Sequence, residues 1–373
     1  MKKRVFMLLA VCLLCIASSA FAAFDLKPYM YTDDAVYPVD AETILVINRS
    51  EDNHDIELRR AGTVTCSVSV PRQDDYLSPF TRDDGRIGFI VGPEFGYVPV
   101  DKRFFLMDRD GTLTQAYDLD DDMRYLGPCG NGFAGLKGTD NGKKLVVMDE
   151  YGKTLFSRVY TALEEEVLGL FDCVQDSDGT YFAAISGEVI PMNGAQRIIL
   201  THFDAQGNVL WESEFEAKYG FDASVLAGDG EGGVYLVKTD DENYKILQAY
   251  YFDSEGSMQW MKQIEAEGLI LSAIFGRFDA KSRKLILDGR VVAKSKGVYK
   301  PLRFAVSRQG EVEVLDTRDF SSRPDYGFYL NRAQDGTIFA TSRANYLDTK
   351  NTKLVVAPVD ALPETSAPTI KAY

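Results

Sequence analysis

Short apolar runs, each bounded by a tight-turn signal, recur along almost the whole chain, and two kinds of turn alternate between them. The first kind leads at once into an apolar strand. It reads Asp84-Gly85-Arg86-Ile87, Asn131-Gly132-Phe133-Ala134, Asp178-Gly179-Thr180-Tyr181, Gly232-Gly233-Val234-Tyr235 and Asp335-Gly336-Thr337-Ile338, with looser copies at residues 40–45 and 282–286. Asn-Gly and Asp-Gly accept positive φ at little cost and are strong hairpin signals. The second kind lies 20 to 28 residues further on, where an apolar strand ends in a bulky residue followed by Asp-x-x-Gly. Its copies start at Asp108, Asp149, Asp204 and Asp253 and end at Gly111, Gly152, Gly207 and Gly256. Variants without the aspartate end at Gly62 and Gly310, and a seventh copy has degenerated to Val359-Asp360-Ala361-Leu362-Pro363. The aspartate can bond the backbone two residues on, and the glycine supplies a left-handed residue.

From Gly62 through Gly310 the intervals between these glycines are 49, 41, 55, 49 and 54 residues. Between the turns lie strand-like segments rich in β-branched and aromatic residues; one full unit reads 123–129, 133–137, 144–148 and 154–160. Four short strands per unit, repeated seven times, predict an all-β fold: a seven-bladed β-propeller of four-stranded antiparallel blades. A ring of six or eight blades, or a pair of β-sandwiches, are the alternatives. The last blade lacks an obvious fourth strand. Either residues 369–373 supply it, or residues 24–31 fold back and close the ring, the preferred arrangement because it removes an open edge. Helical periodicity is weak everywhere, best at residues 162–168.

The two clearest units run Phe203-Asp204-Ala205-Gln206-Gly207-Asn208-Val209-Leu210-Trp211 and Phe252-Asp253-Ser254-Glu255-Gly256-Ser257-Met258-Gln259-Trp260. This Asp-x-x-Gly-x-x-x-Trp pattern resembles the repeat of exported bacterial propellers, including PQQ-like and outer-membrane assembly-type repeats. The other units hold Cys66, Gln115, Phe156 and Val314 at the tryptophan's place. The tryptophans are expected to fill the wedge between blades. In that fold family the quinoprotein dehydrogenases bind a quinone and Ca²⁺ with a Glu/Asn/Asp set and often adjacent cysteines. No adjacent cysteines occur here, so the resemblance implies architecture and export, and no cofactor is expected.

The N-terminus fits export. Met1-Lys2-Lys3-Arg4 precedes an apolar run to Ile16 and the small-residue stretch Ala17–Ala22. That is the layout of a signal peptide over residues 1–22, leaving residues 23–373 as one propeller domain. The apolar run is shorter than the roughly 20 residues needed to span a bilayer. The first 22 residues carry three of 41 basic residues and none of 56 acidic ones, so the remainder carries −18. Such a chain repels nucleic acid and anionic lipid and is expected to be a soluble monomer. Three cysteines remain: Cys66, Cys129 and Cys173. Cys129 and Cys173 precede the same kind of turn in neighbouring repeats and are the better disulfide pair, although buried free thiols are the favoured state.

Candidate chemistry is sparse. His54, in a polar loop at 49–55, and His202, in a strand before a turn, are the only histidines, which argues against zinc or triad chemistry. Asp108 and Asp110 form the preferred candidate calcium loop. Asp176-Ser177-Asp178 and residues 118–122 are weaker ones, and none completes an EF-type set. A basic stretch of Arg290, Lys294, Lys296, Lys300 and Arg303 suits an acidic partner. The leading reading is a non-catalytic propeller binding an unknown protein or glycan. The alternative is a carboxylate-dependent glycoside hydrolase or lyase acting on extracellular polysaccharide, which requires two acids brought together near the axis.

Overall fold

The computed structural model describes residues 22–25, 35–39, 43–49, 52–60, 63–71, 76–81, 86–92, 102–108, 110–119, 123–164, 166–189, 195–218, 225–239, 246–293, 298–319, 329–332, 337–344 and 353–373. These form seven antiparallel sheets, six of four strands and one of five. In chain order, blades 1 to 6 take residues 35–71, 76–119, 123–161, 166–218, 225–266 and 270–317, and blade 7 takes residues 329–358. Within each of blades 1 to 6 the strands pair in sequence order, as hairpins joined by short turns require.

The sheets stack face to face. A middle strand, covered on both faces by neighbouring blades, is therefore buried throughout: Val234–Thr239 is buried at every position, Lys238 and Thr239 included. A fourth strand reaches the rim, where one face meets water. Thr154–Thr161 accordingly shows scattered exposure, with Phe156 and Tyr160 turned inward. One apolar cluster joins blades 3 and 4 through Leu136, Phe156, Cys173 and Tyr181. Another joins blades 4 and 5 through Phe182, Leu200, Trp211 and Phe252. The first strands of blades 3, 4, 5 and 6 touch in succession, and the first strand of blade 1 meets that of blade 7. These first strands thus lie on the axial side of their sheets.

Of the first turn signal, Gly179 and Gly232 take positive φ at +86° and +89°, whereas at Asn131-Gly132 the left-handed residue is instead Gly130 at +56°. Gly85 and Gly336 lie outside the described residues. The second turn signal acts as expected. In the turns starting at Asp149, Asp204 and Asp253, one carboxylate oxygen accepts the backbone N–H groups two and four residues on, at 2.8 to 3.0 Å. Ser307 does the same with its hydroxyl, at 3.2 and 3.1 Å, which explains how that copy survives without aspartate. The closing glycines among the described residues, Gly111, Gly152, Gly207, Gly256 and Gly310, have φ between +75° and +87°. The register then shifts by one residue, between Tyr251 and Phe252 in blade 5 and between His202 and Phe203 in blade 4. Such a bulge sharpens the twist and turns the following Trp211 or Trp260 toward the next blade.

Each tryptophan lies against the turn glycine of the blade that follows. A Cβ on Gly256 would stand 2.8 Å from the Trp211 ring, and one on Gly310 3.3 Å from Trp260. Trp260 also donates its indole N–H to the Arg308 carbonyl at 2.7 Å. Phe156 against Gly207 and Cys66 against Gly111 repeat the arrangement. The repeat motif is thus a latch: the rim residue of one blade docks on the turn of the next.

Two open points are decided and one expectation changes. The end of the weak helical period at 162–168 falls in Glu166–Gln175, the first strand of blade 4, whose pairing with Tyr181–Val189 outweighs that local period. The N-terminal Ala22–Asp25 does pair with Lys353–Pro358 and completes blade 7, whereas Ile370–Ala372 adds a fifth strand to the rim of blade 5. The degenerate turn is the cause: without a glycine, and with Pro363 lacking an N–H, the chain makes a 3-10 turn at Val359–Ala361. It then crosses blade 6, where Thr365 N–H donates to Thr317 O at 3.0 Å, and ends on blade 5. Lastly, His54 lies within strand Asn53–Arg60, paired with Arg49 and fully buried, because the hairpin ladder runs closer to the turn than its polar composition suggests. No helix among the described residues is long and apolar enough to cross a membrane.

Candidate functional site

The first strands of blades 4, 5 and 6 and the turns that follow them enclose a cleft of about 560 Å³. It opens beside the axis because first strands line the axis and these turns rim one of its ends. Asp176, Ser177, Asp229, Glu231, Arg277 and Arg283 are its polar lining, with Phe278 beside them.

Its charges are tied together across blades. Asp229, whose side chain is 1% exposed, accepts the N–H groups of Glu231 at 2.8 Å and Gly233 at 2.9 Å. It also accepts the Tyr251 hydroxyl at 2.9 Å and Arg308 Nη2 at 2.6 Å. Arg308 reaches from the outer turn of blade 6 and extends its other nitrogen to Glu231 at 2.7 Å. Glu231 in turn holds Arg283 at 2.7 and 2.8 Å. Burial works against the charge on Arg308, but Glu231 and Asp229 outweigh it and hold the guanidinium above its ordinary range. Arg283 is the one non-glycine residue with positive φ among those described, at 57°.

Two acids on blade 4 are pushed toward their neutral form. Asp176 rises through burial and through the carboxylates of Asp178 and Asp229, opposed by N–H donors from Ser177 and Gly230. Asp172 rises to about 6, because its burial outweighs the N–H groups of Cys173 and Leu226 that face it. Four residues separate them, roughly 13 Å of extended chain. That backbone span is wider than the carboxylate spacing of retaining and inverting glycosidases, about 5 to 9.5 Å, so the two side chains would have to lean toward one another to act as such a pair. Asp288, also raised by burial, pairs with Arg303 at 2.7 Å in blade 6.

A group raised above its unfolded value gives stability that is present below the unfolded pKa and lost as pH rises through the folded one. Wild-type stability should therefore carry a falling contribution between about pH 4 and 6 from Asp172. Asp172→Asn removes the charge, so it should raise stability at pH 8 by about 3 kcal/mol and leave pH 4 nearly unchanged. Urea unfolding at the two pH values measures this; equal effects at both would show that burial does not set the Asp172 pKa.

His202 is in the strand assigned to it. Its Nε2 meets Thr180 Oγ1 at 3.0 Å, its ring stacks on Phe182 at 4.1 Å between centroids, and burial lowers its pKa against the pull of Asp178 and Asp229. It therefore serves the junction of blades 4 and 5. Asp108 and Asp110 occupy the outer turn of blade 2, where Asp110 accepts the Thr112 N–H at 2.9 Å. Among the described residues no three His, Cys, Asp or Glu side chains cluster as a metal site. Asp178 is held by Thr180 through its N–H and its hydroxyl. Asp118 is the penultimate residue of the fourth strand of blade 2, Leu113–Leu119, and residues 120–122 lie outside the described residues.

The basic stretch is dispersed by the strands themselves. Lys284–Ala293 and Val298–Ser307 pair along their whole length, so Arg290, Lys300 and Arg303 are strand residues and not loop residues. Arg303 is engaged by Asp288 and Asp360, and Lys300 donates to Thr365 at 3.0 Å. Lys294 and Lys296 lie outside the described residues.

The cluster of Asp229, Glu231, Tyr251 and Arg308 was not legible in the sequence. Arg308 occupies a variable position of a repeat turn, 79 residues from Asp229, and only blade packing brings them together.

No protein-family model matches this sequence, and no curated protein does either. Solved structures do resemble it. A prolyl endopeptidase aligns with a TM-score of 0.53 at 11% identity, covering 91% of this chain and 48% of that one. The chain thus spans about half the length of that protein. The β-propeller domain of the trilobed protease from Pyrococcus furiosus aligns at 0.47 and 10% identity, covering 90% of this chain and 95% of that one. A neuraminidase-like N11 protein of a flat-faced bat influenza A virus gives 0.46 and 12%, covering 79% and 89%. At these identities the prolyl endopeptidase likeness shows the β-propeller fold alone.

Proposed function

We propose that the chain is an exported, non-catalytic propeller of seven blades, of the exported bacterial repeat kind, that binds a protein or glycan at the axial cleft. The observation that carries this reading is the state of the cleft's acids. Asp229 and Glu231 are bonded to arginines, and Asp176 accepts two backbone N–H groups, so the carboxylates of the cleft among the described residues are already engaged. A rigid, pre-paired set of charges beside an aromatic ring suits recognition instead. Export is supported by the basic-apolar-small layout of the leader. Cleavage after Ala22 would leave Ala23, Phe24 and Asp25, three of the four residues that pair with blade 7.

The test uses purified chain lacking residues 1–22, a panel of soluble bacterial polysaccharides and peptides, calorimetry, and an assay for newly formed reducing ends. Saturable binding without cleavage is expected. Arg277→Glu, at an exposed position on the rim, should weaken it at least about tenfold, since hydrogen bonds to charged groups contribute about 1.5–3 kcal/mol. Release of reducing ends, abolished by Asp176→Asn or Asp172→Asn, would replace this reading with the hydrolase. The raised pKa values of those two acids are what favour that alternative.

A further inference from the structure

Cys129 ends the first strand of blade 3 and Cys173 lies in the first strand of blade 4. Their sulfur atoms are 3.4 Å apart, and both side chains are buried in the cluster joining these blades. A disulfide requires about 2.05 Å between sulfurs, a difference that small side-chain rotations can close. Around the two sulfurs the cluster is made of Ala134, Leu136, Phe156, Leu168, Tyr181 and similar residues. Cys66 belongs elsewhere: it is the latch residue of blade 1, against Gly111 of blade 2.

We propose that Cys129 and Cys173 form a disulfide that staples blade 3 to blade 4, leaving Cys66 as the free thiol. The chemistry is thiol–disulfide exchange. One cysteine thiolate attacks a disulfide of the oxidant, a dithiol oxidoreductase or oxidised glutathione, and a mixed disulfide forms with loss of one oxidant thiol. The second thiolate then attacks the chain's own sulfur and expels the other oxidant thiol. Two protein thiols become one disulfide, and the oxidant's disulfide becomes two thiols, so the two electrons and two protons are accounted for. The exchange belongs to folding rather than to the finished protein. Once the blades close, both sulfurs are out of reach. The Cys173 thiol is by then held protonated by its contact with Cys129, by burial and by the Asp172 carboxylate. The bond spans 44 residues of chain, so it restricts the unfolded ensemble across the blade junction.

In the cell this rests on the export reading, because a reducing cytosol would keep both thiols free. Two arms separate the questions. In the first, the chain without residues 1–22 is denatured, reduced and refolded in a glutathione redox buffer, alkylated under denaturing conditions without reduction, and mapped by peptide mass. One label, on Cys66, and a linked Cys129–Cys173 peptide are expected. Labels on both Cys129 and Cys173, or a link to Cys66, overturn the proposal. In the second, the full chain is produced in a bacterium and the accumulated protein is mapped in the same way. Free thiols there, with the linked peptide in the first arm, leave the pairing standing and overturn export. Adding reductant should lower the Tm by on the order of 5 °C in the parent and in Cys66→Ala, but not in Cys173→Ala.

Discussion

Gly256→Ala is expected to destabilise the protein by about 3 kcal/mol, with about 1–2 of this from the backbone and the rest from a displaced ring. Gly256 closes the outer turn of blade 5 at φ +77°, a conformation that a side chain disfavours. Its new Cβ would lie 2.8 Å from Cδ2 and Cε3 of Trp211, far inside van der Waals contact. Trp211 cannot withdraw easily, since Phe182, His202 and Phe252 pack around it. Gly179→Ala provides the control. Its φ is +86°, but nothing lies within 4 Å of the added Cβ. It should therefore lose only the backbone part, about 1–2 kcal/mol. Denaturant unfolding of both variants, with tryptophan emission recorded on the folded state, measures the difference. Equal losses for the two glycines, with unchanged emission, would show that the latch contact contributes nothing.

Arg308→Ala should destabilise by about 3–5 kcal/mol, the usual penalty for leaving a buried charge without its partner. Asp229 is enclosed, and Arg308 is its only cationic contact in the structure described. The Tyr251 hydroxyl and two N–H groups remain and place the effect toward the lower end. The exposed Arg283–Glu231 pair makes the comparison, for both side chains are more than half exposed and such pairs contribute about 0–1 kcal/mol. Arg283→Ala should accordingly change unfolding free energy by less than about 1 kcal/mol. A loss that small for Arg308→Ala as well would mean that the Asp229 charge is solvated in spite of its enclosure, and the case against catalysis in the cleft would weaken with it.

Much of the fold was legible because its signals are local. An Asp-x-x-Gly turn is completed within five residues by its own side chain and backbone, as at Asp204, where Gln206 and Asn208 bond the same carboxylate oxygen. The unit read as 123–129, 133–137, 144–148 and 154–160 is observed as Met123–Cys129, Gly132–Thr139, Gly142–Met148 and Thr154–Thr161. The errors arose where a residue's setting depends on a distant strand. His54 is polar and flanked by polar residues, yet pairing with Arg49 buries it. Lys300 and Arg303 read as a free basic patch, yet Thr365 and Asp360, about sixty residues away, come to meet them.

The sequence by itself determined the strand content, the two alternating turns, the period and the places where the repeat degenerates. Each of these is set by backbone chemistry over a few residues, and the pattern survives any rearrangement of the units. The tertiary structure decided which residues meet across the blade junctions: Trp211 with Gly256, Arg308 with Asp229, Cys129 with Cys173. It also decided that residues 22–25 complete blade 7 while residues 370–372 extend blade 5. Those contacts join positions that vary from repeat to repeat and lie 44 to 79 residues apart, or more, along the chain. Only face-to-face stacking of whole sheets, driven by burial of their apolar middle strands, brings such positions within reach of one another.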